Sequence, residues 1–155
     1  MSKIITAFLA ATAVALLSGC NTTGIDTTKT TSIRANLRDV SAADLASGKA
    51  QFRDANYGLA EKHFRKAVEL RATNAEAWMG LAASYDELGR FDFADRAYDQ
   101  LVKLAGRQPK ILNNMGYSQF LRGNTSKARE LLLEAKQGMT NTTVVDANLA
   151  LLAKA

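Results

Sequence analysis

The chain has 155 residues, enough for one domain with a tail, and 47% of them are apolar, enough for a buried core. A single Pro and ten Gly exclude a Pro/Gly-rich all-β chain, and few aromatics beside many Ala and Leu favour helix. One Cys excludes an intrachain disulfide, one His excludes a His-cluster metal site, and the formal charge of +5 is spread along the chain rather than gathered into a run.

The N-terminus reads as an address. Lys3 supplies a positive start, and Ile4 to Leu17 then run without a charge. Fourteen residues make about 21 Å of helix against a hydrocarbon core of about 30 Å, which suits a cleaved leader rather than a membrane span. The segment ends in Leu17-Ser18-Gly19-Cys20, with small residues before the only sulfur nucleophile of the chain. This tetrapeptide resembles the lipobox of bacterial lipoproteins. The resemblance implies a signal peptide over 1–19, cleavage before Cys20, and acylation of Cys20 by diacylglycerol and at its new amine. Three acyl chains hold a protein firmly where one does not. Asn21 follows, where Asp commonly retains such proteins in the inner membrane, so the expected location is the periplasmic face of the outer membrane.

Residues 20–40 carry the acylated Cys and then six Thr with few large apolar residues, and no helical or alternating pattern survives there. A coil of that length spans about 25 Å, which makes it a tether.

From Ser41 the chain repeats every 34 residues without a gap: 41–74, 75–108 and 109–142, with a partial fourth unit over 143–155. Place 8 of each unit is small (Gly48, Ala82, Gly116) and place 20 is always Ala (Ala60, Ala94, Ala128). Place 24 is large and apolar (Phe64, Tyr98, Leu132), and place 27 is Ala67, Leu101 and Ala135. Two helices of a hairpin approach closely only where a side chain is nearly absent, and the large residue fills the neighbouring gap. The period and pattern predict helices over 42–54, 57–71, 75–88, 91–104, 109–121, 125–138 and 143–153. Ser41-x-x-Asp44, Thr73-x-x-Glu76 and Thr143-x-x-Asp146 read as capping boxes, Pro109 as a first-turn residue, and Gly89 and Gly123 as turn residues inside hairpins.

This arrangement resembles the tetratricopeptide repeat, most clearly in the middle unit with Trp78, Leu81, Ala82, Tyr85, Gly89, Ala94 and Tyr98. The resemblance implies an all-α helix-turn-helix superhelix of about three repeats plus a C-terminal capping helix, covering 41–155. The chain departs from the family at place 32, which holds Ala72, Gly106 and Thr140 instead of Pro, and at Asp44, which replaces a large apolar residue.

Catalytic signatures are missing from the sequence. There is no Gly-rich phosphate loop, and His63 has no nucleophile and orienting acid in a motif around it, so it reads as an exposed or rim residue. Asp92, Asp95 and Asp99 share a helix face and read as solvated acids paired with Arg90 and Arg96 rather than as a cation site. Basic residues alternate with acids, which argues against nucleic acid. The expectation is a non-enzyme with no cofactor and no metal.

Stacked repeats of this family hold peptides and proteins in a concave groove lined by the first helix of each pair. In the family, Asn at place 6 of that helix often binds a partner's backbone, and here Asn114 and Asn148 match. Places 5, 9 and 12 are expected to face the groove as well, through Lys49, Met79, Asp86, Asn113, Tyr117 and Phe120. On the last helix Val145, Leu149 and Leu152 are expected to pack inward, leaving Val144, Ala147 and Leu151 as an apolar second face and a candidate docking patch. A small lipoprotein of these repeats behind a Thr-rich tether resembles, in layout, the repeat lipoprotein of the Tad (Flp) tight-adherence pilus apparatus. This implies a scaffold holding a pilus or secretion component. The alternatives are a pilotin that carries a secretin ring to the outer membrane, and a docking subunit that activates a peptidoglycan enzyme.

Cys20→Ala is expected to accumulate as an uncleaved or soluble precursor, read by fractionation and mass spectrometry of the N-terminus. An unacylated wild-type protein free in the periplasm would reject the anchor.

Overall fold

The structure is a computed structural model that describes residues 40–154. The leader, Cys20 and nearly all of the tether therefore lie outside the described residues. Seven helices follow: α1 (Ala42–Arg53), α2 (Tyr57–Leu70), α3 (Ala75–Glu87), α4 (Phe91–Ala105), α5 (Pro109–Leu121), α6 (Thr125–Gln137) and α7 (Thr143–Leu152). Their ends fall within one residue of those expected from the 34-residue phase. Helices α1/α2, α3/α4 and α5/α6 form hairpins, each hairpin stacks on the next through α2/α3, α4/α5 and α6/α7, and α1, α3, α5 and α7 touch in sequence along one side.

The steric logic of the repeat is visible in the hairpins. A Cβ on Gly48 would sit 2.8 Å from the Phe64 ring, and one on Gly116 would sit 2.7 Å from Leu132. These are place 8 and place 24 of the same unit, so the absent side chain is what admits the large one. The Phe64 ring also lies against Gly80 of the next unit, where a Cβ would overlap it. One aromatic ring thus fills the space between two glycines and locks the first two hairpins together. Ala60, Ala94 and Ala128 are fully buried at the crossings.

The core has two parts. One gathers Phe64, Leu81, Tyr85, Tyr98, Leu101 and Ile111, and the other gathers Leu112, Leu131, Leu132, Val145 and Leu152. Met115 packs against both and makes the core continuous across the second and third repeats.

The inner turns need a left-handed residue. Gly89 and Gly123 take φ of +67° and +82°. Ala55 occupies the same place 15 in the first unit with φ +58°, a conformation that costs a residue with a Cβ about 1–2 kcal/mol. Pro109 begins α5, where its missing N–H loses no helical bond.

The capping boxes need correction. Ser41 precedes α1 but makes no side-chain cap, and its hydroxyl instead accepts from Asn74 Nδ2 at 3.0 Å. The cap of α3 is Asn74 rather than Thr73, with Oδ1 accepting from the Ala77 N–H at 3.0 Å. Thr143 lies inside α7, and Asn141 accepts from its N–H. The carboxylates expected in the boxes are drawn away by side chains of neighbouring helices: Asp44 meets His63 at 3.0 Å, and Glu76 and Asp146 meet the cations Lys49 and Lys136 at 2.6 and 2.7 Å. A charge-assisted partner outcompetes a backbone N–H that water can satisfy.

Ala94→Leu is expected to overpack the middle hairpin at about 1–3 kcal/mol and to lower the melting temperature clearly. Asp99→Leu adds comparable bulk on an exposed position of the same helix and is expected to cost about 0.5 kcal/mol or less. Equal losses would count against the assigned phase.

A candidate protein-binding groove

The side formed by α1, α3, α5 and α7 carries the groove. Two adjoining hollows open on it, sharing Phe52 and Ala83. The first, of about 490 Å³, includes Ala46, Lys49, Arg53, Met79 and Gly80 in its lining. The second, of about 230 Å³, includes Asp86, Glu87, Tyr98, Asn114 and Tyr117. Lys49, Met79, Asp86, Asn114 and Tyr117 thus lie together around these two hollows. Tyr117 and Phe120 are half-buried neighbours with ring centroids 6.2 Å apart. Asn113 and Asn114 also border a third hollow at the junction of α5 and α7.

Many of these side chains already have partners within the protein. Lys49 Nζ donates to Glu76 at 2.6 Å. Asn148 Nδ2 donates to Asn113 Oδ1 at 3.0 Å, Asn113 Nδ2 reaches Asn114 Oδ1 at 3.4 Å, and Asn114 Nδ2 contacts Met79 Sδ at 2.8 Å. The result is an amide ladder running from α7 through α5 to α3. Asn113 is buried within it, so its side chain braces the groove wall rather than facing a partner.

Asp86 departs furthest from a groove-facing reading. It is 4% exposed, and its carboxylate accepts from Tyr98 Oη at 2.8 Å and from Ser118 Oγ at 2.6 Å. It therefore ties α3 to its own hairpin partner and to the next repeat. Arg122 approaches Asp86 at 4.0 Å while donating two 2.9 Å bonds to Asp95. Burial pushes the Asp86 carboxyl above its ordinary 3.8, against the opposing pull of the two hydroxyls and Arg122. The same burial, with the Asp86 charge, raises the Tyr98 phenol well above its usual range. The Ser118–Arg122 side of this network went unread in the sequence, although the i,i+4 spacing of the two residues was a usable signal.

The acid cluster of α4 pairs differently from expectation. Asp95 is bound by Arg122 at the C-cap of α5, Arg96 lies over the Phe93 ring at 4.8 Å, and Arg90 approaches the buried Glu61 of α2 at 3.8 Å. His63 is half-buried against Asp44. Among the described residues no cluster of three His, Cys, Asp or Glu side chains could hold a metal ion.

At the C-terminal edge, Val145 and Leu152 are buried and Leu149 is half-buried against the core. Val144 is 62% exposed and Leu151 41% exposed, and Ala147 is exposed beside them.

Residues 75–107 match the tetratricopeptide repeat family. No curated protein matches the chain. The fold is similar to a solved structure of Pseudomonas aeruginosa pilF at 25% identity and TM-score 0.66, over 77% of this chain and 55% of that one, so the chain spans about half of that protein's solved length. It is also similar to the Yersinia enterocolitica type III secretion chaperone SycD, solved with a peptide of the translocator YopD, at 19% identity and TM-score 0.63 over 75% and 94% of the two chains. The TPR domain of Arabidopsis OM64 gives 17% identity and TM-score 0.65 over 75% and 96%. The last two likenesses establish the fold alone. The seven helices of the described residues, in this order and with a matched middle repeat, make the architecture that of a tetratricopeptide-repeat fold, which suggests a protein–protein interaction scaffold.

Because the Asp86 value is raised on folding, its contribution to stability is fully present below the unfolded carboxylate value and is lost as pH rises through the raised one. Asp86→Asn has no proton to release. Wild type is expected to lose stability relative to Asp86→Asn as pH rises from about 3.5 to about 7, read by denaturant unfolding of both. A gap independent of pH would reject the raised value.

Proposed function

We propose that this chain is a non-enzymatic scaffold that holds a component of a Tad/Flp-type pilus or related secretion apparatus at the periplasmic face of the outer membrane. The observation that carries the reading is the groove along α1, α3 and α5, where two adjoining hollows meet at Phe52 and Ala83. A groove of that kind grips an extended segment of another protein and performs no reaction on it.

The location rests on the sequence. The lipobox-like Leu17-Ser18-Gly19-Cys20 supplies an anchor and the Thr-rich segment a tether of about 25 Å, which lets the repeats reach a neighbour without leaving the membrane. Among the described residues no helix is long and apolar enough to cross a membrane, so attachment in this reading is through acylated Cys20. The likeness to pilF of Pseudomonas aeruginosa, at 25% identity, supports this reading, and the likeness to the secretion chaperone SycD supports its fold alone. The exposed apolar edge of α7 offers a second contact beside the groove.

The test is crosslinking in the native host followed by mass spectrometry of what is recovered. Wild type is expected to capture a pilus or secretion component. Tyr117→Ala in the groove and Leu151→Glu on α7 are each expected to reduce that recovery several-fold, with melting temperatures near wild type. Recovery of a peptidoglycan enzyme instead, or recovery indifferent to both changes, would replace this function with another.

A further inference from the structure

The groove is not uniform along its length, and the difference lies in three small residues. At place 6 the first two repeats carry Ala46 and Gly80, where the third carries Asn114; at place 9 the second repeat carries Ala83, where the third carries Tyr117. In the third repeat Asn114 and Tyr117 line the groove, and Asn114 Nδ2 contacts Met79 Sδ. At place 6 of the first two repeats and place 9 of the second the side chain is a methyl or less, and the backbone of α3 lies directly over the Phe64 ring. The result is the 490 Å³ hollow, whose remaining lining is apolar except for Lys49 and Arg53. That size falls within the range of small-ligand pockets, about 300–1,000 Å³.

The charged side chains that line the hollow are Lys49 and Arg53, both basic. No acid lines the hollow. Lys49 is held by Glu76 at 2.6 Å. Arg53, exposed in the last turn of α1, has no ion pair or side-chain hydrogen bond among the described residues. A guanidinium fork presented beside an apolar hollow suits a carboxylate, which it can bind through two parallel N–H···O bonds.

We propose that the hollow over Phe64 is a specificity pocket for an extended peptide segment, taking one bulky apolar side chain between Ala46, Gly80 and Ala83 while an acidic residue of the same segment meets Arg53. The proposal rests on the groove reading above and adds to it the class of sequence recognised. It also divides the labour along the groove. The filled third repeat supplies polar and aromatic wall to any backbone, and the vacant first two repeats select the side chain.

The probe is a phage library of random dodecapeptides panned on the full chain, with the enriched peptide then synthesised and its affinity measured by titration. Wild type is expected to enrich peptides with one Leu, Ile, Met or Phe and an Asp or Glu within about two places of it. Ala46→Trp plugs the hollow from an exposed position, so the fold is retained and circular dichroism verifies it. This variant is expected to weaken the enriched peptide by at least about tenfold, the factor that goes with losing one buried apolar side chain. Arg53→Glu is expected to weaken the acidic peptide and to favour its Lys counterpart. Peptides enriched without a large apolar residue, or an affinity within twofold of wild type in Ala46→Trp, would overturn the pocket. If in that case Tyr117→Ala still abolished binding, the groove would stand and only the pocket would fall. No enrichment on wild type would remove both.

Discussion

The close approach of paired helices at Gly48, Ala82 and Gly116 is the constraint on which the rest of this protein depends. Each hairpin has one place where a side chain is absent or nearly so, and one large residue sixteen positions later that fills the space, Phe64 and Leu132 being the direct contacts. The hairpin alone leaves an apolar face uncovered, so the next hairpin must cover it. Phe64 shows how the two requirements merge, since its ring lies against Gly48 in its own unit and Gly80 in the next. The close packing within a repeat is thereby also the joint between repeats.

Stacking in this register brings polar groups inward, and the structure satisfies them both within a hairpin and across repeat boundaries. Asp86 reaches Tyr98 and Ser118, Glu61 reaches Tyr85 at 3.3 Å, and Asn148 reaches Asn113. A buried carboxylate is costly unless its lone pairs are used, and an array slipped by one turn would leave Asp86 without the Ser118 hydroxyl. Such bonds therefore discriminate between registers more than they add to net stability. They also leave Asp86 and Asn113 little surface for a partner, each being 4% exposed.

What remains available for binding is uneven. The third repeat fills its part of the groove with Asn114 and Tyr117, while Phe120 packs against the core, and the first two repeats leave an apolar hollow rimmed by basic side chains. The α7 edge adds Val144 and Leu151 on a different face. A single repeated backbone therefore presents three chemically distinct surfaces, and the differences come from a few substitutions at fixed places.

The sequence by itself determined the periodic features. The 34-residue phase, the seven helices, the crossings at Ala60, Ala94 and Ala128, and the glycine turns at Gly89 and Gly123 all follow from local sterics repeated at constant spacing, and a pattern of sizes along one chain records local sterics fully. The same regularity indicated which faces of α7 would be buried and which exposed. Only the tertiary structure decided the polar pairings. Asp44, Glu76 and Asp146 looked like caps, but Lys49 and Glu76 are 27 positions apart and still meet at 2.6 Å. Asp95 looked paired within its helix, yet Arg122 binds it from the next repeat. Place 12 reads as groove-facing from its phase, and Asp86 is buried there because Tyr98 and Ser118 converge on it from two other helices. Side-chain size is conveyed by spacing in one dimension, whereas a hydrogen bond depends on which atoms the assembled helices bring within 3 Å, and that distance exists only after the repeats have stacked.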